Sequence, residues 1–381
     1  MSIYFDNSAT TSLSPAVLET ILPYFTQHFG NPSSNHRAGR EAKRVIQSSR
    51  RQIADLLALS PEEIIFTSGG TEADNFALKS SIQQYGIRHV LTSKIEHKAV
   101  LLPLRQLEQA GQIQLDYVAL DEQGRVSIPD LTRWLEKHPK GLVSLMHANN
   151  ELGNLLNLEE VGALTQHYGA YFHTDTVQSL GKVHVALDAV DFATASAHKF
   201  RGPKGVGFLI ARRGHRLPAL LSGGGQEGGQ RGGTENVPGI VGLTKALELA
   251  ITQQQQNIAN LDSLKRHFIG GLREQIPGIA FNGRCQSIDE TLPGLINVAF
   301  PILDAPCSLV EALDARGIAV SGGSACSNLA GGSHVLQAIP SSFGKENVRF
   351  SFGSENTRQE IDTALTILTE LYQVEEVSLV A

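Results

Sequence analysis

Residues 193–207 read ATASAHKFRGPKGVG, and this stretch decides how the rest of the chain is read. An apolar run at 190–195 has the composition of a buried strand. It gives way to Ser196, His198 and Lys199, then to a Gly/Pro turn, and a second apolar run follows at 206–211. Lys199 therefore stands at a strand end between two sheet elements. An amine placed there is partly desolvated, which lowers its pKa and suits it to a Schiff base. The competing reading is a surface lysine beside a turn, and the stretch alone does not separate the two.

Working outward, strands alternate with helices. Strands are expected at 63–67, 89–92, 114–118, 142–147 and 170–174, and helices at 15–28, 37–59, 72–85, 98–110 and 158–168. Polar residues collect at the strand ends, among them Asn150, Asp175 and Gln178. The pattern predicts an α/β fold whose mostly parallel central sheet is flanked by helices, with the site at the carboxyl edge of the strands. One long helix is expected over 238–274, its Gln253–Gln256 run on a solvated face. Beyond residue 278 the elements shorten, as in a smaller α+β unit. The division expected is a large unit over 13–255 and a small one formed by 1–12 with 256–381.

With 381 residues the chain can bury more than one core. The net charge of −6 argues against a general nucleic-acid partner. No apolar run is long enough to span a bilayer. The first residues lack the basic and apolar regions of a signal peptide, so a cytoplasmic protein is expected. Three cysteines, at 285, 307 and 326, show no CxxC spacing, which excludes neither a free thiol nor a reactive one but argues against a zinc site. The 37–59 helix carries a basic face that includes Arg40, Arg44 and Arg50; it reads as solvated charge or as a docking patch for an acidic partner.

Three strand-end features belong together. The turn TSGG at 67–70 leads from a strand into a helix, so Gly70 and Thr71 offer free N–H groups to a phosphate. No GK[ST] follows, which excludes a Walker loop. The glycine-dense 222–236 stretch is no dinucleotide fingerprint either, since no βαβ unit follows it. Asp175 supplies a carboxylate and Lys199 an amine. A phosphate cup, a carboxylate and a lysine meet the needs of pyridoxal 5′-phosphate, whose ring nitrogen stays protonated beside an acid. His97 and Gln178 are then candidates to stack on the ring and to contact its oxygen.

These residues resemble the class V aminotransferase superfamily and, within it, the NifS/IscS-type cysteine desulfurases of PLP fold type I. The resemblance rests on YFDNSATT (4–11), GNPSS (30–34), TSGGTE (67–72), Glu96-His97, MHANNELG (146–153), HTD (173–175), Gln178-Ser179, His198-Lys199, GPKGVG (202–207), SGGSAC (321–326) and RFSFG (349–353). It implies that Lys199 is the Schiff-base lysine and moves the Cα proton, that Asp175 pairs with the ring nitrogen, and that His97 stacks on the ring. Gly70, Thr71, Ser196 and His198 would bind the phosphate, joined by Thr234 from the neighbouring subunit of a homodimer. Gln178 and Asn150 would contact the ring oxygen and the substrate side, and Arg349 would clamp the substrate carboxylate. Cys326, in a Gly/Ser-rich loop expected to be mobile, would take sulfur from L-cysteine as a persulfide and leave L-alanine. The resemblance further implies delivery to a sulfur-acceptor protein such as an iron–sulfur scaffold. A class V aminotransferase with an incidental cysteine and a selenocysteine lyase are the alternatives. HTDTVQ at 173–178 departs from the family's usual HVDAxQ only at small positions, whereas the segment after Cys326 is shorter and richer in glycine, which bears on the acceptor.

Overall fold

The computed structural model describes residues 2–212, 214–303, 305–322, 332–339 and 345–378, with side chains to 372 in the last helix. Its centre is a seven-stranded sheet in the spatial order Ile64–Thr67, Gly207–Ala211, Phe192–Ser196, Tyr171–Asp175, Leu142–Ser144, His89–Thr92, Gln114–Tyr117. The last five are mutually parallel. Gly207–Ala211 runs antiparallel to both of its neighbours. Thr67, Thr92, Ser144, Asp175 and Ser196 consequently end at one edge. The Ile64–Thr67, Leu142–Ser144, Phe192–Ser196 and Gly207–Ala211 strands are buried along their whole length. Continuous apolar runs mark a sheet covered by helices on both faces.

A second core gathers around a three-stranded sheet in which Leu295–Pro301 pairs antiparallel with Lys345–Ser351 and with Ala280–Phe281. Phe268, Phe300, Phe350 and Leu368 fill it. Phe5 from the start of the chain packs there too, beside Phe352 with ring centroids 4.8 Å apart. Strand Ile3–Tyr4 lies parallel to Ile318–Ala319. The chain then crosses to the first core: the Asn7 N–H donates to Ser351 O at 3.1 Å, and the Thr11 N–H to His198 O at 3.0 Å. Residues 7–11 are a strap between the two cores, and this brings the Ser8 and Ala9 carbonyls to Lys199.

Two expected helices are divided. The 15–28 segment forms Pro15–Ile21 and Pro23–Thr26, because Pro23 has no N–H to continue the first ladder and instead opens a new turn. The 238–274 segment forms Val237–Thr252 and Gln254–Gln275, parted at Gln253, whose N–H turns back to Leu249 O and Ile251 O. The first of these packs into the sheet core through Leu243 and Leu247, the second into the other core through Leu264 and Phe268. The glutamine run is thus the joint between two cores, with the Gln254 amide donating to Val183 O at 3.1 Å. The Arg37–Leu57 helix does form, but Arg50 is not part of its solvated basic face. Its guanidinium lies 4.6 Å from the Phe66 ring centroid and pairs with Glu227 at 2.6 Å.

Candidate active site

The site assembles from the strand ends. After the Ile64–Thr67 strand, Gly69 takes φ 150°, a conformation that disfavours any side chain, and the 16-residue helix Gly70–Tyr85 begins. A Cβ on Gly70 would stand 2.6 Å from Val177 Cγ2, so the turn closes against the loop after Asp175. Ser196, the last residue of its strand, is buried beside the same turn. Gly70, Thr71 and Ser196 therefore border one helix N-terminus, where exposed N–H groups favour an anion. His198 lies one turn further on. Its Nδ1 is 3.1 Å from Thr10 Oγ1, and burial and the nearby lysines bring the imidazole down to about 4. A neutral ring whose Nδ1 accepts from the threonine hydroxyl leaves Nε2–H as a donor.

Lys199 closes the short turn Ala197–Lys199. Its ammonium donates to Ser8 O at 2.6 Å and Ala9 O at 2.9 Å. It lines a cavity of about 700 Å³ between the two cores, together with Ser8, Lys182, Arg201, Phe352 and Asn356. Gln178 joins the same group, since its Nε2 also donates to Ser8 O, at 2.9 Å.

Asp175 ends its strand almost fully buried, with Oδ1 accepting the Val177 N–H at 2.8 Å. Loss of solvation, reinforced by Asp74, raises its carboxyl to about 7. A cation beside it would reverse that shift, and the protonated ring nitrogen of pyridoxal 5′-phosphate is such a cation. His97 caps the helix Lys98–Gln109 by accepting the Ala99 N–H on Nδ1 at 3.1 Å. Its proton is therefore assigned to Nε2. Burial lowers its pKa, while Asp175 acts in the opposite direction. A neutral imidazole held by its backbone cap, in electrical contact with Asp175 and Lys199, suits stacking. The free helix start, the glycine that cannot carry a Cβ, the buried acid and the tethered lysine fit the group.

Arg349 is 2% exposed. Nη2 donates to Asp6 Oδ1 at 2.6 Å and Nη1 to Asn150 O at 2.9 Å, while buried Nε has no hydrogen-bond partner among the described residues. Asn150 thus stands next to Arg349 through its backbone. Thr234 is exposed in the glycine-rich loop, which Arg231 ties to Glu72 in the first turn of the Gly70 helix, with N···O separations of 2.8 and 3.2 Å. Cys326 lies outside the described residues. The chain on either side of its segment reaches the site: Ser321 exchanges backbone hydrogen bonds with Arg349, and Ser333 donates to the Glu151 carboxylate.

Several groups escaped the sequence reading. Asp74 is completely buried, accepts from Thr194 Oγ1 at 2.7 Å, lies 3.5 Å from His173 Nε2, and is raised by burial to about 7. An acid beside Ala73, Phe76 and Ala77 on the apolar face of a helix was the available signal. Asp6, Ser8 and Lys182 gave no comparable signal, because only folding brings residues 6–8 to residues 178–199 and 349.

The sequence profile of the family described as aminotransferase class-V matches residues 3–364. A protein of Dictyoglomus turgidum named cysteine desulfurase IscS is 40% identical over 379 residues, covering 97% of this chain and 94% of its own. A solved structure titled NIFS-like protein superimposes with a TM-score of 0.90 at 35% identity, covering 98% of this chain and 100% of that one. Another, titled SspA in complex with cysteine, gives a TM-score of 0.80 at 33% identity, over 93% of this chain and 100% of that one.

Proposed function

Because the chain belongs to the class-V aminotransferase family, we propose that it is a pyridoxal 5′-phosphate-dependent cysteine desulfurase, converting L-cysteine to L-alanine and carrying the sulfur on Cys326. The observation that carries the reading is Lys199, tethered by two strap carbonyls, whose charge reaches His97, the imidazole that Asp175 also acts on. Bound pyridoxal 5′-phosphate would draw electrons away from the substrate Cα and return them to carbon once the C–S bond has broken.

The chain's own residues do the rest. Gly70, Thr71, Ser196 and His198 hold the phosphate, and Asp175 holds the ring nitrogen in its charged form. His97 covers the ring face. Lys199, released from Ser8 and Ala9, takes the Cα proton. Arg349 grips the substrate carboxylate through Nε and one Nη, exchanging Asp6 for the substrate as carboxylate partner; the guanidinium is already desolvated and oriented for it. Gln178 and Asn150 face the ring oxygen and the substrate. The Cys326 thiolate attacks the substrate sulfur: an S–S bond forms, the C–S bond breaks with its electron pair left on carbon, and protonation of that carbon gives alanine.

The reading extends to a homodimer in which Thr234 completes the partner's phosphate site, to a cytoplasmic setting, and to transfer of the persulfide sulfur to an acceptor such as an iron–sulfur scaffold protein. Among the described residues no helix is long and apolar enough to cross a membrane. The presence of two hydrophobic cores supports a division into 13–255 and 1–12 with 256–381. Mass analysis of the Cys326 peptide after incubation with L-cysteine tests the proposal. One added sulfur is expected, and Cys326→Ser should bind the cofactor yet release no sulfide. Undiminished sulfide release from that variant would overturn the mechanism.

A further inference from the structure

Lys182 has no part in the reaction just described, yet it stands at the site. It lines the same cavity as Lys199, four residues after Gln178, and its Nζ donates to Gln178 Oε1 at 3.3 Å. The amide's other end, Nε2, donates to Ser8 O, the carbonyl that also accepts from Lys199. A continuous chain of hydrogen bonds therefore runs from Lys182 through Gln178 and Ser8 to Lys199. The side chain is only partly exposed, and among the described residues no carboxylate forms an ion pair with its ammonium. Loss of solvation, with the positive charges of Lys199 and Arg349 nearby, lowers its pKa. A lysine kept among cations without an acid is costly to stability, so its position calls for a use.

A side-chain amide can turn over, exchanging its acceptor oxygen for its donor nitrogen at little cost. An ammonium can only donate. While Lys182 holds Oε1, Gln178 must present Nε2, a donor, toward the Lys199 end of the cavity. We propose that Lys182 is a positioning residue that fixes the Gln178 amide with its N–H outward, so that Gln178 donates to an oxygen anion on the bound cofactor rather than opposing it with a carbonyl. The inference rests on the functional reading above, in which Gln178 faces the ring oxygen. Lys182 itself does not touch cofactor or substrate.

The experiment is a titration of the cofactor-free protein with pyridoxal 5′-phosphate, followed by absorbance, for the wild type, Lys182→Met and Lys182→Arg. Methionine keeps much of the aliphatic bulk and removes an unpaired cation, so the fold should hold, which a thermal melt checks; Lys182→Leu repeats the measurement if the methionine protein does not fold. Lys182→Met should bind the cofactor about tenfold more weakly, the loss of about one hydrogen bond to a charged group, with a displaced visible absorbance maximum. Lys182→Arg, which can still donate to Oε1, should restore both affinity and spectrum, whereas a role in packing alone would leave the maximum in place. A wild-type spectrum and affinity in Lys182→Met overturns the inference and leaves the functional reading standing. Failure of the wild type to take up the cofactor at all overturns both.

Discussion

Lys199 and Lys265 are both lysines held back from bulk water, the first half-buried on the wall of the cavity between the cores and the second fully buried within the second core, and they are held in different ways. Lys265 is fully buried in the second core, where its ammonium donates to Thr291 Oγ1 at 2.7 Å, Leu292 O at 3.3 Å and Ser287 O at 3.4 Å. All three ammonium hydrogens have acceptors. Its neighbour Cys285 is equally closed in: the thiol donates to Asn297 O at 3.4 Å and burial pushes it up to about 11, so it carries almost no thiolate near neutral pH. Lys199 is held by two carbonyls of a strap on the wall of a large cavity, where its charge acts on His97, His198 and Lys182. Full burial inside a core makes a structural lysine. Tethered burial beside a cavity makes one that a ligand can recruit.

The contrast can be broken by substitution. Lys199→Ala should fold normally, fail to attach pyridoxal 5′-phosphate covalently, and lower the rate of alanine formation on the order of 10³-fold or more, as loss of an acid–base group does. A variant within tenfold of the wild type would place Lys199 on the structural side. Lys265→Ala should do the reverse. It leaves three oxygens without their donor and opens a hole, at a cost of roughly 2–4 kcal/mol in urea unfolding. Activity per folded molecule should stay unchanged. A large activity loss at full stability would show that the second core's lysine also reaches the chemistry.

The smallest expected effect concerns Asp74 and its pH dependence. Its folded pKa of about 7 lies above the ordinary 3.8, so the folded protein binds the extra proton between those values. The stability associated with this group is present below about pH 4 and is lost as pH rises through about 7. Asp74→Asn keeps an acceptor for Thr194 and removes the titration. Relative to the wild type it should gain on the order of 1–3 kcal/mol between pH 4 and pH 8 in the cofactor-free protein. A difference that does not change with pH would mean that Asp74 is ionised in the fold throughout.

Most of the layout was legible in the chain. Apolar runs such as 207–211 and 192–196 cannot be anything but buried, and the helix at 70–85 announces its end with Gly86 in the left-handed conformation at φ 62°. The TSGG turn, Asp175 and Lys199 could be read together because each closes a strand, and strands of a parallel sheet end at one edge. The divided helix at Gln253 was not legible, since glutamine is a good helix former and nothing local breaks the ladder. Two separate cores pull on its two halves.

What the sequence determined by itself is chemistry carried by residue type and order: the alternating α/β pattern, the anion-binding turn, an acid and an amine at strand ends. Local periodicity and turn preference are short-range, so the chain displays them directly. What only the tertiary structure decided is which groups meet. Asp6 pairs with Arg349, Ser8 holds both Gln178 and Lys199, and Asp74 raises Asp175. Solvation and charge act through space over a few ångströms. Residues separated by well over a hundred positions share one electrostatic site only after the strap at 7–11 has crossed between the cores.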